Sequence, residues 1–318
     1  MKDRVLVTGG AGFIGSHVCE KLCREGREVV VLDNLVTGSL DNLSGLDVNI
    51  VEGSVAKYAD VEKAMSGVNK VVHLAALPSV ARSLERPLDT HEACVTGTAN
   101  VLQAANLGGA RVVYAGSSSA YGNQEAQKKH ELLREDPLSP YSAAKLAGEL
   151  YCRTFARVFG MNVVVTRFFN VFGPRQPADS PYSGVIAAFC RSLILGKPVR
   201  IEGDGGQGRD FTYVEDLVTG VVQCLDADSA GCDTVNLAYG DSRTVLDIYE
   251  LLCKFTHEQL PDQVIPEPKR MPSRIGDVRH SLADVTRAKE RFGFAPTVGF
   301  AEGLERTFAW YRTQLESE

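Results

Sequence analysis

The sequence lacks the features that mark nucleic-acid-binding, membrane-spanning or secreted proteins. Its 318 residues carry a formal net charge of −6, so no basic surface for nucleic acid is expected. The longest uncharged apolar stretches, such as 184–190, fall far short of the roughly 20 residues that span a bilayer. The first apolar run begins at Val5, which leaves no room for a signal peptide. We therefore predict a cytoplasmic protein that binds neither membrane nor nucleic acid.

Cysteine is present, but without the spacing of a metal or disulfide site. The eight cysteines include no C-x-x-C pair, and no paired Cys/His cluster indicates zinc. Cys19 and Cys23 lie four residues apart in a helical pattern, which is typical of small buried side chains. The sequence therefore predicts reduced, structural thiols and no metal site.

What the chain does contain is an alternation of short apolar runs with helical patterns. The first run, Val5-Leu6-Val7, is unbroken by polar residues, as in strands that are covered on both faces. Strands are predicted at 5–7, 28–33, 48–51, 70–75, 111–115 and 162–167, and helices at 59–66, 89–106 and about 141–159. Strands that alternate with helices predict an α/β fold with a Rossmann-type, doubly wound parallel sheet.

The alternation breaks after Asn170, where prolines and glycines interrupt the pattern. We predict a main dinucleotide-binding domain over residues 1–172 and a smaller, loop-rich C-terminal substrate domain over 173–209 and 239–318. Segments 211–214 and 234–237 have the composition of strands. We expect this region, near 210–238, to return to the main sheet.

A glycine-rich turn joins the first strand to the first helix. Gly9, Gly12 and Gly15 follow a G-x-x-G-x-x-G spacing rather than G-x-G-x-x-G. Gly9 permits the tight turn, Gly12 lets a pyrophosphate approach the backbone, and Gly15 lets the helix pack on the strand. Free N–H groups at the helix start then face the anion. Asp33, which ends the second strand, can accept hydrogen bonds from ribose hydroxyls and would repel a 2′-phosphate, so NAD is favoured over NADP.

Tyr141 and Lys145 are a candidate catalytic pair. They lie at i and i+4 of a predicted helix and therefore share a face, with Cβ atoms about 5–6 Å apart. A free tyrosine has a pKa of about 10 and cannot act as a base at neutral pH, whereas a nearby ammonium stabilises the phenolate. Such a pair also occurs by chance, and the dinucleotide turn in the same chain favours the functional interpretation. The serines at 117–119 follow a strand end, where a hydroxyl can bind a substrate oxygen.

Further motifs follow in a consistent order along the chain. They are His73-Leu74-Ala75-Ala76, the run from Arg167 to Gln176, Gly203-Asp204-Gly205, Arg209-Asp210-Phe211 and the run from Arg274 to Arg279. With the glycine turn and the Tyr141/Lys145 pair, they resemble the extended short-chain dehydrogenase/reductase family, specifically its NAD-dependent 4-epimerases of UDP-N-acetylglucosamine and UDP-glucose. The resemblance covers essentially the whole chain. It implies tightly bound NAD as the cofactor and a UDP-sugar as the substrate.

The resemblance also implies roles for individual residues. Tyr141 would remove the proton of the sugar 4-hydroxyl while C4 passes hydride to NAD, and the hydride would return to the other face of the 4-keto sugar. Lys145 would assist Tyr141 and bind the nicotinamide ribose, and Ser117 would be the catalytic hydroxyl. Further substrate contacts would come from Ser118, Ser119, Asn170, Arg209, Arg274, Asp277 and Ser281. Cofactor contacts would come from Gly9, Gly12, Phe13, Ile14, Gly15, Asp33, Asn34, Thr37, Gly38, Ser54, Val55, Leu74, Ala75, Ala76, Tyr141, Lys145, Phe168 and Val171.

Three positions bear on the reaction and the substrate. Among the relatives, 4,6-dehydratases carry Asp-Glu directly after the catalytic Thr, and UDP-glucuronate decarboxylases carry Glu at the position of Ser119. Here Ser118 and Ser119 offer no carboxylate, which disfavours both reactions. Ser281 stands where enzymes limited to UDP-glucose and UDP-galactose carry a bulky Tyr. Its small side chain favours UDP-GlcNAc and UDP-GalNAc, although a wide pocket permits the larger sugar without requiring it.

Other interpretations stay open at this point. A UDP-glucuronate 4-epimerase or decarboxylase would need an extra cation in the sugar pocket, for which Arg82 is the candidate. A non-catalytic NAD-binding sensor would not need an intact Tyr-x-x-x-Lys pair. Ser54 and Cys94 replace the usual Asp and Asn, and each removes a polar contact near the cofactor. The family also leads us to expect a homodimer formed through the helices at about 89–106 and 141–159.

Overall fold

A computed structural model describes residues 3–180, 182–272 and 278–316. The strands in these ranges are β1 (Arg4–Thr8), β2 (Glu28–Asp33), β3 (Val48–Glu52), β4 (Lys70–His73), β5 (Arg111–Ser117), β6 (Val163–Phe168), β7 (Asn170–Phe172), β8 (Arg200–Glu202), β9 (Gly208–Tyr213), β10 (Cys232–Leu237), β11 (Ser242–Thr244), β12 (Lys269–Met271) and β13 (His280–Ser281). The α-helices are α1 (Phe13–Arg24), α2 (Tyr58–Ala64), α3 (Val80–Glu85), α4 (Pro87–His91), α5 (Gly97–Gly108), α6 (Pro140–Phe159), α7 (Val185–Ile194), α8 (Val214–Asp226), α9 (Val245–Gln259), α10 (Thr286–Phe292) and α11 (Phe300–Glu316).

The main sheet has seven parallel strands in the order β10-β6-β5-β4-β1-β2-β3. This order confirms the predicted α/β fold with a doubly wound parallel sheet. Helices cover both faces, so valine-rich strands such as β1 and β2 are buried on both sides. Side chains alternate along them: Val5 and Val7 belong to one core cluster, while Leu6 belongs to the cluster on the opposite face.

The two segments that were expected to return to the main sheet behave differently. β10 pairs with β6 along its whole length, so that prediction is confirmed. The prediction for 211–214 is wrong, because β9 pairs with β7, β11 and β13 in a separate four-stranded sheet and Val214 already begins α8. The apolar side chains of β9, Phe211 and Tyr213, pack with Phe172 and Phe300 in a third core cluster beside the main sheet.

The strand order determines where a ligand site can form. The chain leaves β1 in one direction towards β2 and β3, and β4, β5, β6 and β10 lie on the other side. In open α/β sheets the crevice at the carboxyl ends of the strands around this reversal is the usual ligand site. The glycine turn, Asp33 and Ser117 all lie at carboxyl ends of strands of this sheet.

Two observations concern the cysteines and the helices. All eight cysteines are free, and most of them are buried. Across the described ranges, no helix is both long enough and apolar enough to cross a membrane.

Candidate active site

The glycine-rich turn has the geometry of an anion cradle. Gly9 has φ of +71°, and a Cβ atom there would lie 2.9 Å from the Ala75 nitrogen. A Cβ atom at Gly15 would lie 2.1 Å from the Gly9 carbonyl oxygen, so no larger residue fits. Gly12 precedes α1 and supplies no side-chain cap to its first N–H groups. Uncapped N–H groups at a helix start bind phosphate oxygens, so the turn fits a dinucleotide pyrophosphate.

Asp33 lies at the end of β2 beside this turn and is 8% exposed. One carboxylate oxygen accepts the Ala11 N–H at 2.9 Å and the other accepts the Leu35 N–H at 2.8 Å. These bonds orient the carboxylate, and each oxygen retains a lone pair that can accept a ribose hydroxyl. The arrangement is consistent with the predicted preference for NAD.

The other predicted cofactor residues follow the carboxyl ends of neighbouring strands. Phe13 and Ile14 begin α1; Asn34, Thr37 and Gly38 follow β2; Ser54 and Val55 follow β3; Leu74, Ala75 and Ala76 follow β4; Phe168 ends β6 and Val171 lies on β7. Sequence reasoning missed Asp60, whose carboxylate accepts the Ser54 N–H at 2.9 Å. A carboxylate therefore lies beside position 54 even though residue 54 itself is a serine.

The Tyr141/Lys145 pair lies in the first turns of α6. Ser139 caps this helix in a reciprocal capping box with Ser142, and Pro140 occupies its first turn, so the helix start is well defined. Burial raises the pKa of the Tyr141 phenol, the neighbouring Cys94 thiol adds to the rise, and a hydrogen bond with Ser117 opposes it. Burial also lowers the pKa of Lys145. The protein by itself therefore keeps the phenol protonated.

The serine turn follows β5 directly. Ser117 caps a 3₁₀ helix, Ser118–Tyr121: its hydroxyl oxygen accepts the Ser119 N–H at 3.2 Å and lies 2.8 Å from the Ser119 hydroxyl. These contacts hold the Ser117 hydroxyl at the carboxyl end of β5. The Ser117 hydroxyl is also near enough to Tyr141 to lower the pKa of its phenol, so the structure brings the predicted catalytic hydroxyl and the predicted base together.

A buried hydrogen-bond chain links the glycine turn to the segment that contains Cys94. The Ala75 N–H donates to Thr8 Oγ1 at 3.2 Å, and Thr8 Oγ1 donates to His73 Nδ1 at 2.7 Å. His73 Nε2 donates to Thr98 Oγ1 at 3.0 Å, and Thr98 donates to the Cys94 carbonyl at 2.6 Å. Burial, with a smaller effect of the Lys145 charge, lowers the pKa of His73 to about 3, so the ring is neutral.

The hydrogen-bond chain ends at Cys94, where the helix that was predicted over 89–106 is interrupted. A π-helical turn, Glu92–Thr96, separates α4 from α5. Such turns widen a helix locally and are frequent near functional sites. The sequence signal for this network was the polar His73 at the end of an apolar strand.

Strand pairing brings predicted substrate residues together on the small sheet. β13 runs parallel to β9 with Ser281 directly opposite Arg209, and Asn170 lies on β7, which also pairs with β9. The other two predicted contacts to the substrate, Arg274 and Asp277, lie outside the described residues.

Asp210, inside the Arg209-Asp210-Phe211 motif, holds this arrangement. It is fully buried and accepts N–H groups from Tyr239, Gly240 and Ala283 at 3.0, 3.0 and 3.2 Å. These bonds tie the chain segments after β10 and β13 to β9. In this motif Asp210 therefore has a structural role, while the neighbouring Arg209 is the residue predicted to bind the substrate.

Arg243, on β11, is a cation that sequence reasoning missed. It is the direct cross-strand partner of Arg209, and it forms an ion pair with Asp241 at 2.7 Å. Like charges directly opposite each other destabilise a sheet. An anionic group bound near this pair would relieve the repulsion, which is compatible with the predicted diphosphate site.

Comparisons with known proteins agree with this architecture. The profile of the family described as "NAD dependent epimerase/dehydratase family" matches residues 5–238. The chain is similar to a UDP-glucose 4-epimerase structure from Thermotoga maritima, with a TM-score of 0.92, 35% identity and coverage of 98% of this chain and 99% of that one. It is similar to a UDP-N-acetylglucosamine 4-epimerase structure from Methanobrevibacter ruminantium, with a TM-score of 0.90, 34% identity and coverage of 99% and 100%. It is also 32% identical, over the full length of both chains, to a UDP-N-acetyl-alpha-D-glucosaminuronate decarboxylase from Bacillus cytotoxicus.

Proposed function

This chain belongs to the NAD-dependent epimerase/dehydratase family, and we propose that within it the protein inverts C4 of a UDP-hexose through a transient 4-keto sugar. The family membership confirms the predicted family and NAD as its cofactor. The observation that carries the choice of epimerisation is the turn after β5. The Ser117 hydroxyl lies beside Tyr141, where it opposes the rise in the pKa of the phenol, and neither Ser118 nor Ser119 supplies the carboxylate that dehydration or decarboxylation would use.

The proposed mechanism assigns one task to each side chain. When bound, NAD supplies a reversible two-electron oxidation of a sugar carbon. Tyr141 accepts the proton of the 4-hydroxyl as a phenolate and later returns it, while the Lys145 ammonium stabilises that phenolate. Ser117 donates a hydrogen bond to the same sugar oxygen. Arg209 holds the diphosphate, so that the 4-keto sugar can turn over while the nucleotide stays bound.

The proposed substrates are UDP-GlcNAc and UDP-GalNAc, and also UDP-glucose and UDP-galactose. Ser281 is the direct strand partner of Arg209, and its side chain is small. If Arg209 binds the diphosphate, the side chain at 281 lies near the attached sugar and leaves volume for an acetamide. We propose that segments 173–209 and 239–318, which contribute these two residues, bind the UDP-sugar.

Replacing Ser281 with Tyr is expected to lower kcat/KM for UDP-GalNAc by about 10- to 100-fold, because the ring fills the volume needed by the acetamide. Turnover of UDP-galactose should be largely preserved. Parallel measurement of both sugars on the wild type, Ser281→Tyr and the small control Ser281→Ala tests this expectation. Equal losses on both sugars in Ser281→Tyr would contradict a steric gate.

A second candidate function is the epimerisation or decarboxylation of a UDP-uronate, which the similarity to the Bacillus cytotoxicus decarboxylase keeps open. Arg82 was the cation nominated to bind such a carboxylate. Its guanidinium lies 5.0 Å from the centre of the Tyr182 ring, and the Tyr182 hydroxyl donates to Glu85 at 2.7 Å. Because the Arg82 guanidinium already contacts the Tyr182 ring, we favour neutral sugars over uronates as the substrates.

The deciding experiment is separate incubation of the protein with UDP-GlcNAc, UDP-glucose and UDP-glucuronate, with chromatographic resolution of the products. The proposal expects C4 epimers of the two neutral sugars. A pentose product, or release of carbon dioxide from UDP-glucuronate, would establish the second candidate instead. Bound NAD with no product from any sugar would favour a non-catalytic sensor.

The homodimer also stays a prediction, supported by exposed apolar side chains on the two helices concerned. Leu107 on α5 and Leu150 and Val158 on α6 are all more than half exposed. The double variant Leu150→Lys/Val158→Lys is expected to change the mass in light scattering from that of a dimer to that of a monomer. Val264→Lys, at an exposed apolar site elsewhere, is the control. A monomeric wild type would contradict the prediction.

A further inference from the structure

Tyr114 lies in the buried part of β5 and contacts the helix that carries Tyr141 and Lys145. It is 1% exposed, and its hydroxyl donates to the Lys145 backbone carbonyl at 3.1 Å. The Lys145 Nζ atom lies 5.0 Å from the centre of its ring. We propose that Tyr114 is a positioning residue, in a role that rests on the proposed function: its ring face holds the Lys145 ammonium where that charge can act on Tyr141.

The Lys145 ammonium requires such a partner. Lys145 is 4% exposed, and among the described residues no carboxylate forms an ion pair with it. Glu149, one turn further along α6, is engaged by Arg167 at 2.7 Å. A buried charge without compensation is costly, and the negative face of an aromatic ring within about 6 Å is an established compensation. The Tyr114 ring is therefore the aromatic group that stabilises the charge in this position.

Tyr114 contacts Lys145 at two points, and together they restrict the conformation of the lysine side chain. The Tyr114 hydroxyl binds the backbone at Lys145, while the ring contacts the far end of the same side chain. Gly148 makes the approach possible, because a Cβ atom there would lie 2.2 Å from the Tyr114 hydroxyl oxygen. The ring of Tyr114 thus sets the position of the ammonium, and its hydroxyl adds one contact to α6, whose start is already held by its own capping box.

Several ionisable groups surround Lys145 and bear on its charge. They are Glu149 and Cys152 on α6, Cys94 in the π turn, His73 on β4 and Tyr114 on β5, and Tyr141 lies one turn earlier on α6. Burial lowers the pKa of Lys145, and the nearby Cys94, Glu149 and Cys152 oppose this. Loss of the aromatic ring would remove one attraction for the cation, so the ammonium would be less populated and less well placed. The pKa of the Tyr141 phenol would then rise.

The test is a titration of Tyr141 in the NAD-loaded protein. Tyr114→Leu is expected to raise the titration midpoint by about 0.5–1 pH unit, the scale of a partly buried cation–π contact. Tyr114→Phe keeps the ring and is expected to keep the midpoint. The phenolate is followed by its ultraviolet difference spectrum, and each variant is measured against the same variant carrying Tyr141→Phe, so that only Tyr141 contributes.

The control is Val112→Ala, which removes buried side-chain atoms from the same strand and the same core cluster. It is expected to lower stability without moving the midpoint. If Tyr114→Leu does not fold, ring-fluorinated phenylalanine incorporated at position 114 preserves the shape and weakens the negative ring face. That substitution should reproduce the upward shift.

Equal midpoints in Tyr114→Leu and Tyr114→Phe would overturn the positioning role, as would an equal shift in Val112→Ala. Turnover of UDP-sugars is measured separately on the wild type. Its absence would overturn the proposed function and would leave the titration readable. An unmoved midpoint with turnover intact would reject only the role of Tyr114.

Discussion

Replacing Tyr141 with Phe is expected to reduce UDP-sugar turnover by about 10²- to 10⁴-fold, the range that a positioned acid–base group contributes. The substitution removes only the hydroxyl that exchanges a proton with the sugar. The ring, the capped start of α6 and the glycine turn all stay in place. The content of bound NAD should therefore be unchanged.

The measurement combines the initial rate of epimer formation with the NAD released on denaturation. Tyr151→Phe is a matched control, because it removes a hydroxyl from an exposed tyrosine on the same helix. It is expected to retain wild-type turnover. Full activity in Tyr141→Phe would show that another group takes the proton. A large loss of NAD in that variant would assign the phenol mainly to cofactor binding.

Replacing Glu149 with Ala is expected to lower the free energy of unfolding by about 3 kcal/mol, the lower end of the usual cost of breaking a buried ion pair, because Arg167 keeps a second carboxylate. Glu149 and Arg167 are both fully buried. Their carboxylate and guanidinium are joined by hydrogen bonds of 2.7 Å to Nη2 and 3.1 Å to Nε. After the substitution, Arg167 would retain Glu135, which is partly exposed.

Denaturant unfolding at neutral pH measures this loss. Arg153→Ala is the contrast, because Arg153 contacts the same two glutamates from a position that is 35% exposed. That surface contact is expected to contribute about 1 kcal/mol or less. Comparable losses in Arg153→Ala and Glu149→Ala would mean that burial does not distinguish the two ion pairs.

The dinucleotide half of the molecule could be predicted because its signals are local. The glycine spacing, the apolar runs and the i, i+4 relation of Tyr141 and Lys145 each depend on a short segment of chain. The sequence of strands and helices then restricts the sheet to a few right-handed arrangements. The return of segment 234–237 to the main sheet, as part of β10, was predicted from its strand-like composition alone.

The substrate half was harder to predict from the sequence, because its strands are short and pair over long sequence separations. The apolar pattern of 211–214 satisfies a strand in either sheet, and packing against Phe172 and Phe300 decides between them. No local pattern shows that Ser281 lies opposite Arg209. The π turn that contains Cys94 was likewise absent from the prediction, since the Thr98 hydroxyl that binds the Cys94 carbonyl is itself held by His73 on another strand.

The amino-acid sequence by itself determined the fold class, the cofactor and the family, because periodicity, glycine spacing and ordered motifs are properties of contiguous residues. Only the tertiary structure decided which side chains meet. It brought the Tyr114 ring to the Lys145 ammonium and paired Arg167 with Glu149. Such contacts depend on register and packing between distant segments, and many pairings would satisfy the same apolar pattern.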